Sequence, residues 1–367
     1  MTEGASTVFP RRRLVLCVGP GGVGKTTCAA ALALAAARDG SGRRIAVVTI
    51  DPSRRLAQAL GLEGDSSGDL IPVLREPGVH LDALILDGAR VFDTIVQTCA
   101  SDPATAARIL DSRIYQATAE RLSGALEFAA MARVQMLFDA GEHELIVLDT
   151  PPTANAMDFL EAPTRVRELI SNPGARILAG TGRIGARILG LGGSVLSKTF
   201  EAMGGGAFMS DLGSFLREFS IVLAEFQRRG GDFERLLRSP DTGVLLVTSA
   251  STFSVREASG FLRQLADYGL NIDAAVLNRA DPSLPAPPEL SGFEAALGAR
   301  GYTPEQAARV LAAYTDAHGL GLRSRRSIAA LRETRPDLRV WTAMRQPTPP
   351  DTLAALQTFG AQVFAAG

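Results

Sequence analysis

Short, continuous runs of aliphatic and β-branched residues recur along the chain at Leu14 to Val18, Arg44 to Ile50, Leu145 to Leu148, Val244 to Thr248 and Ala274 to Leu277. Runs of this length without polar alternation are the pattern of strands buried on both faces. Two weaker runs, Val79 to Leu86 and Leu338 to Ala343, extend the same sheet. Helical periodicity fills the intervals. Alternation of strand and helix over the whole length predicts an α/β fold, a doubly wound and mostly parallel sheet with ligands at the carboxyl ends of its strands. About 95 residues separate the strand ending at Asp149 from the one starting at Val244, whereas a crossover needs only about a dozen. Within that interval Phe208, Leu212, Phe215, Leu216, Phe219, Leu223 and Phe226 recur at spacings of three and four, which predicts a helix with one strongly apolar face. The chain therefore reads as a single domain over 1–367, with an α-helical insertion subdomain over 155–240 and a smaller helical segment over 100–140. Thr303, Pro304 and Gln306 give an N-cap, a first-turn proline and a capping-box partner to a later helix carrying Ala307, Val310, Leu311 and Tyr314 on one face.

Composition narrows the class. The 367 residues are 46% hydrophobic and 21% charged, too apolar for intrinsic disorder. With 38 basic against 39 acidic residues the formal charge is −1, which argues against a whole-chain grip on nucleic acid or anionic lipid. Only two of the basic residues, Lys25 and Lys198, are lysines. Cys17, Cys28 and Cys99 form no CxxC pair and leave an odd number for any disulfide scheme, so a reducing cytoplasm is expected. Zinc and iron–sulfur centres need clustered thiolates or imidazoles, and neither is expected here. His80, His143 and His318 are isolated and read as surface or core residues. Arg11 to Arg13 ahead of Leu14 to Val18 imitate a secretion signal, but the apolar run falls short of the roughly 7 to 15 residues required. Cys28 to Ala37 is mostly alanine and falls short of the ~20 residues that span a bilayer, so no stable membrane insertion is expected.

The chemistry concentrates after the first strand. Gly19-Pro20-Gly21-Gly22-Val23-Gly24-Lys25-Thr26-Thr27 fits GxxxxGK[ST], between an apolar strand and a helix. In such a loop the glycines let backbone N–H groups converge on phosphate oxygens. Lys25 then reaches the β- and γ-phosphates, and the Thr26 hydroxyl holds Mg²⁺. Asp51 follows the second strand, ahead of Pro52 and Ser53, and Asp149 ends the third, so both carboxylates are expected at the edge that carries the loop. Phosphoryl transfer needs one group to orient the attacking water and one to hold the metal shell. Asp51 is assigned to the water and Asp149 to the metal, with Asp51 as a simple cap of the helix after Pro52 as the alternative.

The loop, Asp51-Pro52-Ser53, Asp149-Thr150-Pro151-Pro152-Thr153 and the strand end Leu277-Asn278-Arg279 together resemble the family of the arsenite pump-driving ATPase and the eukaryotic tail-anchored protein targeting ATPase. The resemblance runs over nearly the whole chain. Pro151-Pro152 with Asp158-Phe159-Leu160-Glu161-Ala162-Pro163 is most similar to bacterial members encoded as pairs of unequal paralogues. It implies a P-loop of the deviant Walker A type, a first switch of Asp51, Pro52, Ser53 and Arg54, and a second of Asp149, Thr150 and Pro151. It further implies that Asn278 reads adenine beside Arg279, and that two subunits close around two nucleotides. The departures matter. Family members carry a signature lysine second in the loop, where this chain has Pro20, which offers neither charge nor N–H. Two switch histidines are replaced by Arg54 and Asn155, and the zinc-fixing CxxC is missing.

The expected function is therefore a dimeric, MgATP-hydrolysing enzyme in which nucleotide-driven closure forms an apolar groove for a client helix, with Phe208, Leu212, Phe215 and Phe219 as candidate lining. The same residues could instead be the core of the helical subdomain. Two other readings stay open. One is a nucleotide-binding regulator that hydrolyses little and works with a lysine-bearing paralogue as a heterodimer. The other is an anion pump-driving ATPase, which the absent cysteines and histidines disfavour. A membrane-positioning ATPase would need a basic amphipathic tail, yet Asp351 to Gly367 holds no Lys or Arg.

Overall fold

The computed structural model describes residues 9–50, 55–62, 69–86, 88–112, 115–116, 126–150 and 205–364. Eight strands form one sheet: β1 (Leu14–Val18), β2 (Arg44–Thr49), β3 (Ile71–Glu76), β4 (Val79–Ile85), β5 (Leu145–Asp149), β6 (Thr242–Ser249), β7 (Ile272–Ala280) and β8 (Arg339–Met344). Their spatial order is β3-β4-β2-β5-β1-β6-β7-β8. All neighbours run parallel except β3 and β4, so the sheet is mostly parallel and α/β as its sequence pattern predicts. After β1 the chain builds outward on one side and then returns to add β6 on the other. The strand order thus reverses beside β1, and the crevice at its carboxyl end is the expected ligand position.

The central strands are buried on both faces. Leu14, Leu16 and Val18 enter one core and Val15 and Cys17 the other. The second core is covered by α1 (Lys25–Ala37) and the C-terminal helix, α10 (Leu353–Phe364). In chain order the other helices are α2 (Arg55–Ala59), α3 (Gly88–Cys99), α4 (Pro103–Asp111), α5 (Leu126–Ala140), α6 (Gly205–Leu237), α7 (Thr252–Asp267), α8 (Leu290–Gly298) and α9 (Pro304–Thr334). Helices α3, α5, α6 and α7 supply most of the helical residues of the first core. The expected Thr303 capping box opens α9, with the Thr303 hydroxyl accepting from the Gln306 N–H and the Gln306 side chain accepting from the Thr303 N–H.

Helix α1 is apolar on all sides, which suits a helix buried between sheet and α10. Its alanines permit the close approach. A Cβ built on Gly360 of α10 would lie 2.6 Å from the Ala31 carbonyl oxygen. The sequence pattern did not single out β3. It is an edge strand with a bulge after Pro72 and alternating exposure, so it lacks the continuous apolar run that marks the others. Pro77 and the left-handed Gly78 turn it into β4.

On the first-core side, buried Asp82 of β4 lies 2.9 Å from Nε2 of buried His143 and also pairs with Arg75. His318 contacts the Leu284 carbonyl through Nδ1 at 3.0 Å. Both histidines thus have packing roles. The three cysteines are free and buried. Burial, reinforced by the nearby charge of Asp149 and opposed by Arg279, pushes the Cys28 thiol up to about 12. Cys17 is raised in the same direction, first by burial and then by Asp149 and Cys28.

Three outcomes follow from this packing. Gly360→Val should lower unfolding stability in a urea titration by about 1–3 kcal/mol. Gly231→Ala on α6, where an added Cβ meets nothing within 4 Å, should raise it by about 0.5–1 kcal/mol. Below pH 9 the Cys28 thiol keeps its proton both folded and unfolded. Between about 9 and about 12 only the unfolded thiol gives it up, so stability falls with rising pH by up to about 1.4 kcal/mol per pH unit. Cys28→Ala should remove that part of the alkaline loss, measured as the difference between the two stability–pH curves.

Candidate functional site

The loop leaves β1 at Gly19 and enters α1 at Lys25. Two of its glycines are required by geometry. Gly19 has φ +150°, and a Cβ there would stand 1.9 Å from the Val247 carbonyl oxygen of β6. Gly24 has φ +95°, and a Cβ there would stand 2.4 Å from the Asn278 amide nitrogen. Side chains are excluded by left-handed backbone and close approach together. Gly24 is also the N-cap of α1, and no side chain caps the helix. The first amides and the positive end of the helix dipole therefore suit an anion.

Lys25 is 8% exposed, and its ammonium donates to the carbonyls of Gly19 at 3.1 Å and Pro20 at 3.0 Å. The cation thus lies across the loop it belongs to. Position 20 contributes a carbonyl acceptor there, with no cation of its own.

Asp149 is 1% exposed at the end of β5, on the α1 side of the sheet. Its Oδ2 accepts from the Thr26 hydroxyl at 2.7 Å and from the Thr49 hydroxyl at 3.0 Å. A hydroxyl and a carboxylate at the mouth of a phosphate-type loop form an all-oxygen donor set of the kind Mg²⁺ takes together with phosphates and water. Among the described residues no group of three or more His, Cys, Asp or Glu could hold a metal by itself. Thr150 is pinned by its N–H at 3.3 Å and its hydroxyl at 2.9 Å to the Cys17 carbonyl. The chain therefore leaves β5 from a fixed point on β1.

On the other flank Asn278 ends the continuous buried run of β7 that begins at Ala274. Its amide donates to the Val23 carbonyl of the loop at 2.8 Å, and its Oδ1 accepts from the Arg279 N–H at 2.9 Å. One N–H and one oxygen lone pair of the amide remain, the complementary pair that an adenine edge can use. Arg279 is left-handed at φ +53° and exposed, an uncommon backbone for a residue with a side chain.

The structure thus brings Gly19 to Thr27, Asp149, Thr150, Asn278 and Arg279 to one edge. Asp51, Pro52, Ser53, Arg54, Pro151 and Asn155 lie outside the described residues, as do 155–204 of the insertion. Helix α6 includes Phe208 and Leu212, whose side chains also lie outside. Phe215 and Phe219 stack at 5.2 Å, and Phe219 meets Tyr115 edge-on at 6.4 Å. Both are packed against the first core. Burial and a 2.8 Å hydrogen bond to Asp93 raise the Tyr115 phenol above its ordinary value. Sequence reasoning missed Thr49 and the Asn278 link to Val23. For Thr49 the signal was a lone hydroxyl closing an otherwise apolar strand, since a buried polar atom needs a partner.

The sequence profile of the anion-transporting ATPase family matches residues 12–289. An uncharacterized protein of Streptomyces coelicolor is 34% identical over 159 residues, 43% of this chain and 39% of its own length. A putative arsenical pump-driving ATPase 1 of Aquifex aeolicus is 21% identical over 285 residues, 74% of this chain and 64% of its own length. ATPase get3 of Aspergillus terreus is 23% identical over 270 residues, 73% of each chain. The chain thus spans less than two thirds of the length of the first two relatives. With the profile covering strands β1 to β7 and the entire phosphate-loop edge, the chain belongs to the anion-transporting ATPase family.

Proposed function

We propose that this chain binds MgATP at the β1–α1 loop and hydrolyses it. The observation that carries the reading is the meeting of Lys25, Thr26 and buried Asp149 at one strand edge. Phosphoryl transfer depends on positioning and charge stabilisation rather than covalent chemistry, and these residues supply both. The α1 amides and Lys25 take the phosphates. Thr26 and Asp149 hold Mg²⁺, which when bound neutralises charge on the transferring group. Asp51 orients the water, and the remaining amide groups of Asn278 take the base. In this reading the active form is a dimer, and the helices after Asp149 transmit nucleotide state to a client groove. Phe215 and Phe219 of the expected groove pack against the first core, which favours a structural role for those two. The relatives named as ATPases favour the enzymatic part of the reading.

Pro20 favours a second form of the same function, in which this chain is the slow member of a heterodimer and a paralogue donates the missing cation. Without such a cation, turnover falls by about 10³ to 10⁵ by analogy with arginine fingers.

Steady-state MgATP hydrolysis by the purified chain tests both. Lys25→Ala should cut turnover by at least about 10²-fold; equal rates in parent and variant would sink the enzymatic reading. Pro20→Lys should raise the turnover of the chain alone by about 10-fold or more. A variant no faster than the parent would mean that another cation already fills the role.

A further inference from the structure

Thr49 is the last residue of β2 and lies in register with Asp149 on the neighbouring β5. In-register parallel partners project to the same face, here the face covered by α1. The five residues before it, Arg44 to Val48, place four aliphatic side chains in the sheet, and Thr49 closes the strand at 1% exposure. A buried hydroxyl in such a place costs free energy unless it is hydrogen-bonded. Its hydroxyl lies 3.0 Å from Asp149 Oδ2, the same oxygen that accepts from Thr26 at 2.7 Å.

We propose that Thr49 is a positioning residue for the metal-holding carboxylate: its hydroxyl, working from β2 against Thr26 on α1, fixes the orientation in which Asp149 meets Mg²⁺. The inference rests on the MgATP reading given above. A single donor would leave the carboxylate plane free to turn about its last torsion, which is broad for Asp. Two donors on one oxygen, one from the helix and one from the sheet, restrain it. The Thr26 hydroxyl also has a second duty at the metal, whereas Thr49 belongs to a strand paired on both sides. Thr49 therefore adds its restraint from the sheet while the Thr26 hydroxyl donates to the same oxygen and offers its lone pairs to the cation. A partner that orients a ligating group in this way governs affinity for the metal without touching it.

The test measures the affinity of a fluorescent ATP analogue for the full chain, with Mg²⁺ and in EDTA, together with the Mg²⁺ concentration that half-saturates the difference. Thr49→Val and Thr49→Ala should bind the analogue in EDTA within about twofold of the parent. Both should require about 10-fold more Mg²⁺, within the 10- to 100-fold range for loss of a group that orients a metal ligand. Thr49→Ser, which keeps the hydroxyl, should restore the parent value. Unchanged Mg²⁺ dependence in both hydroxyl-less variants would overturn the proposal. So would an equal loss of affinity with and without Mg²⁺ in the folded variants, because that pattern marks a purely structural role. A parent whose analogue binding is indifferent to Mg²⁺ would overturn the MgATP reading and this inference with it, and that outcome is visible before any variant is made.

Discussion

A carboxylate buried at 1% exposure is the constraint around which this edge of the protein is built. Removing an ionised group from water is costly unless hydrogen bonds replace the hydration. Asp149 recruits them from separate elements, Thr26 at the first turn of α1 and Thr49 at the end of β2. Those partners meet only if β2, β5 and β1 hold their parallel register and α1 leaves the loop at one angle. The glycines set that angle, because Gly19 must pass under the Val247 carbonyl and Gly24 under the Asn278 amide. Local backbone, sheet register and buried charge therefore specify one another.

The strand ends flanking the loop tie it down unequally. On the β7 side, Asn278 grips Val23 directly. On the β5 side, contact runs through side chains, from Thr26 to Asp149, with Thr150 bonded to β1 beneath. A base held by the residual groups of Asn278 and a phosphate held by the loop would thus share one rigid frame. In such a frame, binding energy from the base can position the reacting phosphate. Pro20 fits the same frame for a different reason. Its carbonyl accepts from Lys25, and its ring fixes φ within the loop.

Much of this was legible in the sequence because the relevant signals are local. The run Leu14 to Val18 is β1 to the residue, and the glycine pattern after it could follow only a strand and open a helix. Asp149 was readable as a charge closing a buried run. Strand β3 was not, since Pro72 and half-exposed neighbours dilute the periodicity of an edge. The roles of Thr49 and Asn278 stayed hidden for another reason. Each depends on a partner about 100 or 255 residues away, and no periodicity encodes a side-chain bond across that distance. The Phe-rich stripe of α6 shows the limit of pattern from the other side. Spacing predicts one apolar face, but Phe215 stacks on Phe219, which meets Tyr115, and only the packing could say so.

Two buried aspartates in one sheet show how environment separates structure from chemistry. Asp82 is met by the guanidinium of Arg75, which can offset its charge within the fold, and by the imidazole of His143. Asp149 Oδ2 accepts from two hydroxyls, those of Thr26 and Thr49. Its field is felt nearby, since it helps to raise the thiols of both Cys17 and Cys28. In the MgATP reading proposed above, this carboxylate at the mouth of the phosphate-type loop would meet a divalent cation brought in by phosphates. Arg or His in place of Thr49 would serve the carboxylate better as a partner in folding. In that reading it would also compete with the metal, which a neutral hydroxyl would not.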